Sequence, residues 1–237
     1  LSLCCVMTSP LMAQQVAHRE VTFEVTNPYH QPQTDAPVVI NLHTLKLKFH
    51  PASAVVTCDG EEIPSQLDDL NRDGLVDELA WVMDIPAQHT KQLTVSFSSE
   101  QKQPHYPART FAQMLIRDGK KNKHAQAESI TVPGTANVYN LIYGHGPMME
   151  SEWVGYRIYF NQKQTLDLYG KFRKRLELEA CSFYPSDKQL AAGFGDDVLM
   201  VGNSCGIGAL KGWDGTQATH IEPIASRTER VVTYGPV

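Results

Sequence analysis

The chain has 237 residues, of which 42% are hydrophobic and 20% charged, with a net charge of −5. That composition excludes a disordered chain, and the absence of a concentrated basic surface excludes a nucleic-acid partner. No internal apolar run reaches the roughly 20 residues that a membrane helix requires, so no transmembrane segment is expected.

The first residues, LSLCCVMTSPLMAQQ, lack a basic start but carry the apolar body of a secretory leader. Cleavage after Ala13 fits the polar shift at Gln14-Gln15; the competing reading is a buried first strand. A lipoprotein start at Cys4 or Cys5 is disfavoured, because Leu3 stands where a small residue should precede the cysteine. A leader places the mature chain in the periplasm or outside the cell. It would leave Cys58, Cys181 and Cys205, an odd set with no CxxC pair. One bridge or buried free thiols are both compatible with it.

From Val21 onward the pattern is β. VTFEVTN (21–27), VVINL (38–42) and LKLKF (45–49) alternate with period two. AVVTC-DG-EEIPSQL reads as a hairpin, with Asp59-Gly60 supplying the positive-φ pair of a type I′ turn. ELAWVM (78–83) and QLTVSFS (92–98) are further strands. Six or seven short strands over 16–98 predict a small antiparallel sandwich. Ser99 to Pro107 is polar, holds two prolines and reads as a linker. A larger β-sandwich is expected over 108–237. It includes the strand RTFAQMLI, the charged turn RDGKKNKH, ESITVP and the loop GTANVYN. Ser186 to Ala192 predicts one short helix, with Ser186 as N-cap and Gln189 three residues on. The final RTERVVTYGPV has the alternation of a strand. A strand closing the chain, together with the odd start, gives the expectation that the sequence is truncated at both ends.

Four stretches carry candidate chemistry. Asp69, Asn71, Asp73 and Asp77 space oxygens as a calcium loop does, with Gly74 for the turn. It is no EF-hand, since Ala80 occupies the twelfth position. The choice lies between a structural Ca2+ and a polar turn whose side chains bond their own backbone. The run from Gly202 to Gly212 lacks the spacing and the βαβ setting of a phosphate loop, so no nucleotide cofactor is expected; it reads as a turn region where backbones pack closely. Trp213 and Asp214 at its end either stack and bond a sugar or belong to a core. His145, between Gly144 and Gly146, is either an acid–base group backed by Glu150 and Glu152 or a loop histidine bonded to nearby carbonyls. His220, in THIEP, has only Glu222 nearby in its favour. No G-x-S-x-G, H-E-x-x-H or P-loop motif is present.

The fourth stretch, EWVGYRIYFNQKQTLDLYGK (152–171), reads as a hairpin turning at Asn161 to Thr165. Symmetry about Lys163 sets Arg157 opposite Tyr169 and Tyr159 opposite Asp167. Even positions, Val154 to Leu168, then form the core face. Odd positions gather Trp153, Arg157, Tyr159, Asp167, Tyr169 and Lys171 on the other. That face is either solvated, with cross-strand pairs, or a platform on which aromatic rings stack sugars and charged groups hold carboxylates and hydroxyls.

These stretches, with TNPYHQPQTDAPVVINL, PSQLDDLNRDGLVDELAW, YGHGPMMESEWVGYRIYFNQKQTLDLYGK, GFGDDVLMVGNSCGIGALKGWDG and HIEP…TYGPV, make the chain resemble the bacterial domain-of-unknown-function 4861 family. The resemblance covers nearly all of the chain after the leader. It implies a secreted protein of polysaccharide-utilisation loci in Bacteroidetes-type bacteria. The implied fold is all-β, an antiparallel β-sandwich related to galactose-mutarotase-like supersandwiches, in a domain that continues past Val237. The implied partner is an oligosaccharide or polysaccharide, and the implied activity is elimination on uronate-containing oligosaccharides by a carbon–oxygen lyase or dehydratase. The alternative is a non-catalytic carbohydrate-binding sandwich. Elimination needs a neutralised carboxylate, a base for the α-proton and an acid at the leaving oxygen. Arg157 or Lys171 suits the first role, and His145, Tyr159 or Tyr169 the others, with Glu150 orienting His145. Trp153, Asp167, Lys171, Trp213 and Asp214 would hold the glycan.

Overall fold

The structure is a computed structural model and describes residues 16–118, 124–202, 204 and 206–237. The leader-like residues 1–15 and Cys205 therefore lie outside the described residues, as does most of the charged turn RDGKKNKH. The chain divides into two compact units, Leu1–Leu67 with Asn71–His105, and Asp68–Leu70 with Tyr106–Val237.

The first unit is an antiparallel sandwich. Its strands are β1 (His18–Asn27), β2 (Gln33–Asn41), β3 (Ser53–Cys58), β4 (Glu61–Ile63), β5 (Ser65–Asp68), β6 (Glu78–Ile85) and β7 (His89–Ser98). One sheet runs β1-β7-β3-β4 and the other β2-β6-β5. Alternation explains the layers. Leu93, Val95 and Phe97 of β7 and Ala54, Val56 and Cys58 of β3 turn inward to meet Leu79, Trp81, Met83 and Ile85 of β6. Val95 lies between Val21 and Val56 in the ladders, so hydrophobic pairs fix the register. Burying a side chain such as Phe97 contributes about 2–3 kcal/mol. Asp59 and Gly60 take φ values of 53° and 82°, the positive pair that the tight turn between β3 and β4 needs.

LKLKF is not a strand, which corrects the reading from alternation. Leu42–Leu45 forms a 3-10 turn whose start is capped by Asn41, and Lys46 sits in the left-handed region. Leu45, Leu47 and Phe49 still pack against the core. Alternation there records which side chains face inward; the ladder is missing because the turn bends the backbone away.

The second unit contains β8 (Thr110–Gln113), β9 (Leu115–Arg117), β10 (His124–Gln126), β11 (Ser129–Pro133), β12 (Met148–Ser151), β13 (Val154–Ile158) and β14 (Leu166–Gly170). Helices α1 (Leu178–Cys181) and α2 (Asp187–Ala191) come next. They are followed by β15 (Asp196–Asp197), β16 (Gly212–Trp213), β17 (Ala218–Thr219) and β18 (Ser226–Arg230). The main sheet runs β15-β14-β13-β12-β8, with two-stranded ladders β9-β10, β11-β18 and β16-β17. The run RTFAQMLI is thus two strands, broken at buried Met114. Helix α2 starts where the sequence places it: the Ser186 hydroxyl accepts from Gln189 N, and the Gln189 side chain bonds back in a capping box.

One small core joins Met148, Tyr169, Leu178, Cys181 and Phe183; another joins Met114, Val138, Ile142 and Phe160. Cys58 and Cys181 are buried free thiols. The fold is all-β, and among the described residues no helix is long and apolar enough to cross a membrane.

Candidate functional site

The site is built on the hairpin of β13 and β14. Arg157 pairs with Asp167, and Tyr156 with Leu168, so the register lies two residues from the symmetric one. A shift of two keeps every residue on its face but changes its neighbours. Arg157 therefore faces Asp167 rather than Tyr169.

The larger correction concerns the faces. The odd face is buried at its centre, with Arg157 1% exposed and Asp167 and Tyr169 fully buried, while Trp153 at its end is exposed. Of the even side chains, Phe160 is buried in a core as expected, while Val154, Tyr156, Ile158, Leu166 and Leu168 are only half-buried. Charged groups are tolerated inside because partners from other elements meet them. Arg157 Nη2 donates to Asp167 Oδ2, to Asp197 Oδ2 at 3.1 Å and to Tyr159 Oη at 2.9 Å, and Nη1 donates to Tyr184 Oη. Its guanidinium also lies 4.3 Å from the Phe183 ring centroid. Lys171 Nζ donates to Glu150, to Ser151 O at 2.6 Å and to Arg175 O at 2.8 Å.

These bonds reassign several residues. Arg157 and Lys171 are enclosed and paired, so neither meets a substrate carboxylate as expected. Glu150 does not orient His145. Its carboxylate accepts from Glu177 N at 2.9 Å and Leu178 N at 2.7 Å and holds the start of α1. Tyr169 donates to Glu177 Oε2 at 2.9 Å inside the core, which removes it as an acid or base for substrate. Asp167 is likewise internal rather than glycan-binding. Trp153 is 65% exposed, with Lys174 Nζ 5.0 Å from its ring centroid. Trp213 is 69% exposed. Asp214 is spent on its turn, accepting from Thr216 N and Gln217 N at 2.8 and 2.9 Å; those bonds lower its pKa. His220 Nδ1 lies 2.9 Å from Lys211 Nζ.

In the calcium-like loop, Asn71 Oδ1 accepts from Asp73 N and Asp73 Oδ1 from Leu75 N, while Asp77 accepts from Asn71. Asp69 belongs to the segment grouped with the second unit. Among the described residues no three His, Cys, Asp or Glu side chains converge as a metal site.

His145 and Tyr159 do come together. The Tyr-Gly-His-Gly loop is laid along the end of β13, where Phe160 N donates to His145 O at 3.0 Å and Ile158 N to Pro147 O at 3.1 Å. That approach is why Gly146 is needed, since a Cβ there would stand 1.7 Å from Ile158 O. His145 itself takes φ of 67°, a strained angle held by these contacts. Gly146→Ala is expected to lower stability by about 1–3 kcal/mol and to displace the imidazole. A thermal melt checks it; an unchanged midpoint would show that the loop is not seated on β13.

The imidazole stacks on Tyr139, with centroids 3.8 Å apart, and lies 6.3 Å from the Tyr159 ring. His145 Nδ1 lies 2.8 Å from Tyr139 O. A carbonyl only accepts, so Nδ1 carries the proton and Nε2 presents a lone pair. Burial lowers the pKa of His145, with Arg117 and Arg157 adding to the effect against the Tyr139 bond. The ring is therefore neutral and basic at neutral pH. Burial raises Tyr159 and Tyr184, so both keep their protons despite Arg157. Tyr159 donates to Asp167 at 3.2 Å. The half-exposed Tyr184 uses a lone pair on Arg157, and its proton has no acceptor among the described residues. Burial, then Asp167, also raises Asp197 at the rim. Exposed Arg117 stands 5.6 Å from the Tyr143 ring centroid, near enough to act on His145. A shallow cavity of about 130 Å³ opens beside Tyr139 and Tyr159, bounded by Asn161 and Lys163.

Tyr139, Tyr184, Asp197 and Arg117 escaped sequence reasoning. GFGDDV signalled Asp197 only as part of a family-like run, and nothing local marks Tyr184. Gly206 behaves as expected of its glycine-rich run: at φ 56° it passes close to Leu166 O, where a Cβ would stand 2.0 Å away.

Residues 25–237 match the family model described as Domain of unknown function (DUF4861). No curated protein and no solved structure matches the chain.

Proposed function

The chain belongs to the DUF4861 family, and from that premise we propose that it is a carbohydrate-active protein working outside the cytoplasm on uronate-containing oligosaccharides by elimination. One observation carries the reading: a neutral imidazole with a free Nε2 stacks near Tyr159, and Arg157 bridges the Tyr159 hydroxyl to that of Tyr184, which stays protonated. His145 removes the proton α to the carboxylate and Tyr184 protonates the leaving oxygen. Arg117, rather than Arg157, receives the substrate carboxylate. Arg157 holds the two phenols in place from below.

The test is the ultraviolet absorbance of a conjugated uronate product over a panel of uronic-acid oligosaccharides. His145→Gln and Tyr184→Phe are each expected to lower kcat about a hundredfold with the fold intact. The acid limb of the pH–rate profile should fall below the ordinary imidazole value of 6.5. An inert wild-type protein across the panel would sink the proposal.

The exposed Trp153 and Trp213 favour a second reading, a glycan-binding sandwich without catalysis. Glycan affinity that survives His145→Gln while no product ever forms would select it. Secretion through a leader, a place in polysaccharide utilisation and a supersandwich relationship belong to the same proposal.

We also propose a structural calcium ion at the loop of Asn71, Asp73 and Asp77. The residue types suit a hard cation, although the side chains now bond their own loop. Calcium at a hundredfold excess over its Kd should stabilise the protein by about 2.7 kcal/mol. A melting temperature unmoved between EDTA and millimolar calcium would end that proposal.

A further inference from the structure

The hairpin has a second, half-buried face. There Ile158, Phe160 and Leu166 wall a cavity of about 520 Å³, with Leu210, Ile221 and Ile224 across from them. Leu210 and Ile221 stand exposed at its edge. Strand β18 brings Arg227 and Glu229 to the same cavity. Alternation buries both more deeply than Ser226, Thr228 and Arg230, although Ser226 and Thr228 also reach the lining, and Glu229 pairs with Ile130 of β11.

Glu229 Oε2 is buried and has no hydrogen-bond partner among the described residues. Arg227 is the only other charged group in the described lining, and it is engaged elsewhere. Its Nη1 donates to Gly134 O at 2.7 Å, and its Nη2 lies 3.5 Å from Glu222 Oε1. Burial pushes the Glu229 carboxyl from 4.5 up to about 8, so it keeps its proton at neutral pH. A protonated carboxyl in an apolar wall is a hydrogen-bond donor with nothing to receive it. Buried polar atoms in native proteins are mostly paired, and Arg227 Nε in the same wall is also buried without a partner among the described residues, so two donors at one cavity await an acceptor. The volume falls in the range of small-molecule sites.

We infer that this cavity binds an uncharged ligand with an apolar body and a hydrogen-bond acceptor, anchored by the Glu229 carboxyl. Arg227 in the same wall disfavours a cation, and the apolar side chains that make up most of the lining make burial of any ion costly. The site uses the face of the hairpin opposite Arg157 and Tyr159, so it stands or falls independently of the elimination reading.

Nile red is a suitable probe: neutral, largely apolar and bearing one carbonyl acceptor. Its fluorescence should report binding well below pH 8 and about a tenfold weaker Kd well above it, as the carboxyl ionises. Glu229→Gln supplies an amide donor that does not titrate, so it should bind equally on both sides of pH 8. Ile221→Trp should fill the cavity edge and abolish binding. No binding at low pH, an unchanged pH profile in Glu229→Gln, or binding indifferent to Ile221→Trp would each overturn the site. Proton release on binding hexylamine would overturn the uncharged class.

Discussion

Arg157→Met is expected to lower the unfolding free energy by about 3–5 kcal/mol. The guanidinium is enclosed, and Asp167, its innermost partner, cannot turn to water. Removing it strands the Asp167 carboxylate in the core and leaves Asp197 and two phenols without their donor. Methionine fills much of the volume but answers none of those charges. The double variant Arg157→Met with Asp167→Leu should recover most of the loss, because two apolar groups need no pairing. Urea denaturation of the three proteins measures this. A loss of under about 1 kcal/mol would restore the exposed-face reading, since a solvated cross-strand pair contributes no more than that.

Glu229→Gln should raise stability by up to about 4 kcal/mol above pH 8 and change little in acid. The sign follows from the direction of the shift. The folded chain holds the Glu229 proton after the unfolded chain has released it. The stabilising contribution is therefore full below an ordinary glutamate pKa and is lost as pH climbs through about 8. An uncharged amide takes no part in that loss. The wild-type stability curve should slope downward between about pH 4.5 and 8 relative to the variant's. Parallel curves would mean that water reaches the carboxyl. This readout needs no ligand, so it tests the buried state of Glu229 separately from its use.

Local rules carried well where one segment contains all the participants. Asp59-Gly60 makes its turn within the hairpin, and Ser186 and Gln189 close their box within one helical turn. The parity of the 152–171 hairpin was equally legible, because alternation is a property of one strand. The register was not. Symmetry about Lys163 misses the pairing by two residues, as the turn closes with Tyr159 N on Thr165 O and Gln164 N on Asn161 O.

What the amino-acid sequence determined by itself was an all-β chain, the side chains that share each face of the hairpin, and a histidine set between glycines. Only the tertiary structure decided which face is inside. Alternation sorts residues into two sets, but charge makes the polar set look exposed. That inference fails when partners arrive from elsewhere: Tyr184 lies 27 residues and Asp197 lies 40 residues from Arg157, and Glu150 lies 21 from Lys171. Asp197 and Glu150 balance charges, and Tyr184 accepts a hydrogen bond, that the hairpin alone would have to give to water. The meeting of His145 and Tyr159 is a tertiary product for the same reason, since the histidine's loop lies along the end of β13.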